Sequence, residues 1–440
     1  MKLVKSLAIG ALALATVASS QATNVKVTGS TAYRKALYSA IVNQLSVGGT
    51  KTVHVAWFGN AALNSANEAT FSNGTDSFQV GVAGSVGGVN WVVNNLTVAQ
   101  DKDRVGVATG LIKVASANGS AATATVATTQ GALVVTSGAG QIATLDGTNS
   151  EAGAADFTLS DSLQDSTPYD EFSTGVTLTQ AGTTATSGTG IGVVPFVFAK
   201  GTAGGIGGTG TGTAYSRFTN VTPLAFQALA KNGYSSLALF TGTASDNSYN
   251  AVLTGRDNDS GTRLATAFES GFGDVNSPFK QYSANNATFV DVGSGATITS
   301  LTLGATTAAG YSSGGKVKNA LNASITSSVL VKSKPVILVS YLGTGDLPTD
   351  ATQILSYNGV ALFSSTGVQN PALIQNGQYT FWTYEQAYYN PNVTTDATVT
   401  GIIDAIADSI TNNYAASAGG IHINTLNVSR ASEGAVVFHN

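Results

Sequence analysis

The chain has 440 residues with 20 Lys and Arg against 24 Asp and Glu, a charged fraction of only 10%, 51 Gly and no Cys. Zero Cys excludes disulfides, thiolate metal sites and cysteine nucleophiles. The slightly acidic balance offers no basic patch to neutralise a phosphate backbone, which excludes nucleic acid as a partner.

Met1-Lys2-Leu3-Val4-Lys5, the apolar run Leu7 to Val17 and the small residues Ser20-Gln21-Ala22 have the layout of a secretory signal over 1–22, with the mature chain starting at Thr23. No later apolar run approaches the roughly 18 residues of a membrane span, and no Cys stands near the cleavage site to carry a lipid. A periplasmic or secreted product is expected. Its 418 or so residues exceed the size at which single cores split, so two lobes are expected. Without Lys2 and Lys5 the balance is 18 basic against 24 acidic residues.

Asn24 to Ala32 reads as a short alternating strand entering a Gly-Ser-Thr turn, and Tyr33 to Leu45 has apolar residues at helical spacing. That order aims the N–H groups of the helix start at whatever lies over the strand's end. Thr52 to Phe58 predicts a second strand with Val53, Val55 and Trp57 on one face. Between about 74 and 150 the short runs Phe78–Val82, Val105–Val107, Leu111–Val114 and Ala132–Val135 alternate with Gly, Asn and Ser, which predicts an inserted β-hairpin region; a partly disordered Ala/Thr/Gly tract is the alternative.

Ala155 to Ser162 is strand-like and ends in a polar turn, and Ile191 to Phe198, with Pro195 inside it, reads as an extended segment crossing between lobes. After the Gly/Thr loop 201–212, Thr222-Pro223 is a helix start with Thr as cap and Pro at the first helical position. Thr262 to Phe268 predicts a helix, as does Gly315 to Ile325; Val329 to Leu342 predicts a buried strand and Val399 to Ile410 a last helix. Strands alternating with helices predict α/β lobes with ligands bound where helix N-termini face a crevice.

The densest chemistry is Gly255-Arg256-Asp257-Asn258-Asp259-Ser260-Gly261-Thr262-Arg263. Two guanidinium forks, two hydroxyls and a glycine that lets an anion approach main-chain N–H groups make an oxyanion cradle; ordinary turn chemistry before a helix is the plainer reading. Thr28-Gly29-Ser30-Thr31 and Leu159-Ser160-Asp161-Ser162 repeat the design, with short polar side chains at the ends of predicted strands. A dehydrated anion needs charge-assisted donors, and a carboxylate among them makes sense only if the anion carries a proton.

In this order the three segments resemble the phosphate-binding proteins of ABC transporters, which have the two-lobe, hinged type II periplasmic-binding-protein fold of class α/β. The resemblance extends to Ala155-Asp156-Phe157, to Val221-Thr222-Pro223 and to Tyr379 through Glu385, and leaves the β-rich insertion outside it. It implies one lobe over 23–195 and 381–440 and another over 196–380. It implies oxyanion-binding roles for Ser30, Thr31, Ala32, Ser160, Asp161, Arg256, Ser260, Gly261 and Thr262. Asp161 would select hydrogen phosphate over sulfate, and an ABC permease would be the partner of a monomer. Two departures stand out: the family's Gly-Ser pair after the second strand has only Asn60 and Ser65 as candidates, and Asn258 stands where the family often has Asp, leaving Asp257 or Asp259 to orient Arg256.

Other classes are less well served. A matrix or adhesion protein on the same scaffold would suit the low charge and the Thr/Ala/Gly bias. A hydrolase would need His54 or His422 beside Ser260, and the sequence arranges neither this nor a nucleophile elbow. The three His show no metal spacing, no cofactor motif is present, and Trp57, Trp91 and Trp382 are expected to be packing residues. The expected protein is therefore a binding protein and not an enzyme.

Overall fold

The computed structural model of the chain describes residues 22–46, 51–59, 62–82, 84–96, 111–113, 122–126, 133–137, 140–142, 150–183, 190–206, 208–274 and 276–440. The proposed signal up to residue 21, Val105–Val107 and Asn60 lie outside the described residues.

Mixed β-sheet flanked by helices forms the body, the expected α/β class. Strand β1 (Asn24–Gly29) leads through a Ser-Thr turn into helix α1 (Arg34–Ser46), whose Ala36, Leu37, Ala40, Ile41 and Leu45 are buried as their spacing requires. Strands β2 (Val53–Phe58), β3 (Glu68–Ser72) and β4 (Ser77–Gly81) run as an antiparallel meander. It continues outward through β5 (Ala122–Val126) on β2 and β6 (Leu133–Ser137) on β5. At the other edge of the meander β4 lies parallel to β1, with Val25 opposite Phe78. On the far side of β1 comes β7 (Phe157–Ser160), also parallel, with Val27 opposite Phe157. Parallel strands buried on both faces give no clean alternation. Here Phe78 and Val80 are buried on one side, Ser77 and Gln79 on the other, and Gln79 is satisfied by Asn24, the Ile112 carbonyl and Glu151.

Two sequence expectations need correction here. The expected runs at Ser77–Gly81, Leu111–Ile112 and Leu133–Ser137 are strands, and the last pairs antiparallel with β5, but the segment after β4 within that region is a helix, α2 (Ser85–Val93). Its Gly87 and Gly88 and its β-branched residues argue against a helix on propensity. Packing wins: a Cβ on residue 88 would lie 2.5 Å from the Gly29 Cα and 2.2 Å from Thr158 Oγ1, so only glycine lets this helix sit directly on β1 and β7. The stretch Val329–Leu342 is not one strand either. Lys332 and Ser333 adopt left-handed φ values of 51° and 62°, and Leu330–Val331 fold back on Lys334–Pro335.

The long strand β8 (Gly192–Lys200) changes partners midway. Residues 192–195 pair with the last long strand, Trp382–Tyr389, which in turn pairs with β7, whereas residues 196–200 pair with Lys334–Gly343. Around the second half lie helix α3 (Pro223–Asn232), strands β9 (Tyr234–Ser236) and β10 (Asn250–Leu253), helices α4 (Gly261–Glu269) and α5 (Gly314–Asn322), and strands β11 (Lys334–Gly343) and β12 (Ile354–Tyr357). Strand β13 (Trp382–Tyr389) and helix α6 (Ala397–Ser409) then return to the first half. Thr222 caps α3 by accepting from the Ala225 N–H at 3.3 Å, with Pro223 at the first helical position, as the sequence predicts. Phe196, Phe198, Phe226, Phe279, Tyr341 and Phe381 pack ring against ring in this half. Trp57, Trp91 and Trp382 are all buried, as expected of packing residues.

Candidate functional site

Three adjacent parallel strands, β4, β1 and β7, end at the same level, and each runs into a turn bearing short polar side chains. Loops at the carboxyl ends of parallel strands are where α/β sheets present ligand sites. The turn after β1 carries Ser30 and Thr31, the turn after β4 carries Gly84 and Ser85, and the turn after β7 carries Asp161 and Ser162. Backbone bonds lock the three together: the Ser30 N–H donates to the Leu159 carbonyl at 2.8 Å and the Gly84 N–H to the Gly29 carbonyl at 2.9 Å. The Asp161 N–H donates to Ser85 Oγ at 3.2 Å.

Ser85 is the hydroxyl that the sequence reading lacked. Ser65, one of the two candidates, is exposed at the rim of a cleft of about 590 Å³ and does not join these turns. Ser85 follows Gly84 in the turn after β4, inside the stretch that the sequence places in a β-rich insertion.

Opposite stands the loop between β10 and α4. Ser260 Oγ caps α4 by accepting from the Arg263 N–H at 3.3 Å, so the first turn of the helix points its free N–H groups at the three turns. Arg256 is 2% exposed, and its fork is fixed by carbonyls: Nε donates to Tyr311 at 3.0 Å and Nη2 to Ser312 at 2.8 Å. Its Nη1 donates across to Thr31 Oγ1 at 3.2 Å. The main-chain carbonyls of Tyr311 and Ser312 thus engage two of its three nitrogens. Arg263, the second fork of the motif, is no part of the cradle. It donates to the Arg256 carbonyl at 3.1 Å and to the carbonyl of Thr307, and stacks on Phe279 at 4.6 Å, bracing the loop from behind.

The two walls meet. The Gly87 N–H donates to the Asp259 carbonyl at 3.1 Å, and Thr262 Oγ1 donates to Asp161 Oδ2 at 3.5 Å. Among the described residues Asp161 Oδ1 and Ser162 Oγ are buried without a hydrogen-bond partner, and both lie over Gly261. Burial pushes the Asp161 carboxyl above its ordinary range, against the opposing pull of the Ser85 hydrogen bond and the Arg256 charge. Unpartnered polar atoms at such a depth are costly and mark a place built to receive a partner.

Of the nine residues singled out from sequence, Ser30, Thr31, Asp161, Arg256, Ser260, Gly261 and Thr262 come together at this junction. Ser160 lies at its edge: its hydroxyl donates to the Ser162 carbonyl at 2.7 Å inside its own turn, and Ser162 presents the open hydroxyl instead. Ala32 is half-buried, packed beside Gly343 and Gly345. A further acid, Glu385 of β13, is fully buried with Oε2 3.3 Å from Ser30 Oγ. It closes the Tyr379–Glu385 stretch of the resemblance but is given no site role there; the pairing of β13 with β7 and β8 brings it here. Among the described residues no group of His, Cys, Asp and Glu could hold a metal ion, and no helix is long and apolar enough to cross a membrane.

No family model matches the chain, and no curated protein matches it. Among solved structures it is similar to a protein from Clostridium perfringens described as a phosphate ABC transporter substrate-binding protein with bound phosphate, at 10% identity and a TM-score of 0.42, covering 91% of this chain and 99% of that one. It is similar to PstS from Borrelia burgdorferi at 13% identity and a TM-score of 0.34, covering 91% and 98%. It is also similar to an ABC-type phosphate transport receptor from Vibrio cholerae at 9% identity and a TM-score of 0.37, covering 90% and 99%.

Proposed function

We propose that this chain is an exported solute-binding protein that takes hydrogen phosphate, or a closely related protonated oxyanion, between the Ser30, Ser85 and Asp161 turns and the Arg256–Thr262 loop. The observation that carries this reading is the meeting of Asp161 with the start of α4. A carboxylate with a buried, unpartnered oxygen faces a helix N-terminus, a fixed guanidinium and several hydroxyls. Donors in that number suit an oxyanion, and the single carboxylate suits one that brings a proton. Sulfate brings none at neutral pH and would meet Asp161 as a like charge.

The change of partner along β8 at Pro195 and Phe196, and the start of β13 at Trp382, support two lobes over 23–195 with 381–440 and over 196–380. Those two crossings would be the hinge, and the contacts of Arg256 with Thr31 and of Thr262 with Asp161 would be made and broken as the cleft closes and opens. Delivery to an ABC permease by the closed monomer completes the reading. Isothermal titration of protein freed of endogenous ligand tests it: micromolar or tighter phosphate binding is expected. Failure to bind any oxyanion with Arg256 intact overturns it.

A further inference from the structure

Glu385 is a buried acid beside the site that the phosphate reading does not use. It is fully buried and its Oε2 sits 3.3 Å from Ser30 Oγ; among the described residues its Oε1 has no partner and no Lys, Arg or His reaches it. The titratable groups that face it are Asp161, from the turn after β7, and Tyr33, just ahead of α1. On its other side β8 places Gly192 opposite it, which brings no charge. An ionised carboxylate in such surroundings would lack both water and a counter-ion and would repel Asp161. Burial first, and Asp161 second, push the Glu385 carboxyl well above its ordinary range, while the Ser30 hydrogen bond pulls weakly the other way.

The separation of the two oxygens allows the hydrogen bond to run in either direction, and the direction decides what Ser30 shows the ligand. A hydroxyl has one hydrogen and two lone pairs. If Glu385 were ionised, that hydrogen would turn to the carboxylate and leave lone pairs facing the anion. We propose that Glu385 keeps its proton and donates it to Ser30 Oγ, so that Ser30 turns its own hydrogen to the anion in the cleft. The inference rests on the phosphate reading above and deepens it. With Ser30 as a donor, Asp161 is the carboxylate that takes the proton of the monohydrogen form; with Ser30 as an acceptor, a ligand bringing a second proton would be favoured. Glu385 is then a positioning residue that acts through Ser30.

Two measurements test this. In the infrared spectrum of the ligand-free protein at neutral pH, wild type should show a protonated carboxyl stretch that Glu385→Gln lacks, read as a band in the difference of the two spectra. If no such band separates the two spectra, the proposal is overturned, whatever the variant binds. Second, phosphate titration should show Ser30→Ala and Glu385→Leu each weaker by about tenfold, and the double variant weaker by about the same tenfold, because both remove one donor. Independent losses, multiplying to about a hundredfold in the double variant, would mean that Glu385 does not act through Ser30. Wild type that binds no phosphate would sink the reading of the site itself, and the infrared band would still decide whether Glu385 holds its proton. If Glu385→Leu does not fold, that band decides alone.

Discussion

Asp161 Oδ1 lies so close over the Cα of Gly261 that a Cβ at position 261 would meet it at 1.6 Å and Ser162 Oγ at 2.6 Å. Residue 261 also opens α4, where Ala would favour the helix over Gly by up to about 1 kcal/mol. Local propensity and cleft geometry therefore predict opposite signs for Gly261→Ala. The contact should win: a loss of about 1–3 kcal/mol in stability, as for other overpacked sites, with phosphate affinity reduced about a hundredfold or more. A thermal melt and a phosphate titration of the variant check both halves.

Arg256 owes its orientation to the carbonyls of Tyr311 and Ser312, which engage Nε and Nη2 and leave Nη1 facing Thr31. An ammonium is a compact charge that cannot grip both carbonyls and still face the cleft. Arg256→Lys should keep the charge and yet lose about a hundredfold in phosphate affinity. Near-normal binding by the Lys variant, read by titration, would show that charge alone is what the site needs.

Asp161, Glu385 and Glu433 are three buried carboxyls, and burial is the first cause that pushes each above its ordinary range. Between its ordinary and its raised value, such a carboxyl holds its proton in the native protein while the unfolded chain has already released it. Stability therefore grows as pH falls through the raised values and levels off near the ordinary carboxyl range of about 4. Asp246, paired with Arg217, is shifted downward and begins to cost stability only below that range. The ligand-free protein should melt at a higher temperature near about pH 5 than near about pH 8, and the gain should shrink in Glu385→Gln. A melting temperature that falls on acidification to pH 5 would contradict these environments.

At the far end of α4, Arg430 ties the C-terminal segment to Glu269 with an N to O distance of 3.3 Å, donates to the Trp382 carbonyl at 2.7 Å and stacks on the Trp382 ring at 4.5 Å. Burial pushes the Glu269 carboxyl up, and Arg430 is the first of the groups holding it down. Arg430→Ala would strand a buried acid and should cost about 3 kcal/mol in denaturant unfolding. Adding Glu269→Gln should recover part of that loss.

Where local chemistry and tertiary need agree, the elements could be read directly. Thr222-Pro223 starts α3, Ser260 caps α4, and the spacing of Ala36 to Leu45 marks the buried face of α1. The proposed oxyanion motif is legible for the same reason, since Ser260-Gly261-Thr262 is a helix start with a capping hydroxyl. What escaped reading depends on contacts made across the chain. Gly87 and Gly88 look like helix breakers until Asp259 presses on the first and β1 and β7 on the second, so the sequence does not mark the helix that Ser85 opens. Arg263 looked equal to Arg256, yet the Phe279 ring and the Thr307 carbonyl claim it. Glu385 lies 355 positions from Ser30 in sequence and meets it only through the pairing of β13 with β7.

The central claim is that Asp161 reads a proton on the anion, and paired titrations of phosphate and sulfate into wild type and Asp161→Asn test it most directly. Wild type should prefer phosphate by about a hundredfold or more, and the Asn variant, which removes the charge and supplies an amide donor, should narrow that preference to within about tenfold by admitting sulfate. Equal binding of the two anions by wild type, or an unchanged preference in Asp161→Asn, would contradict the account.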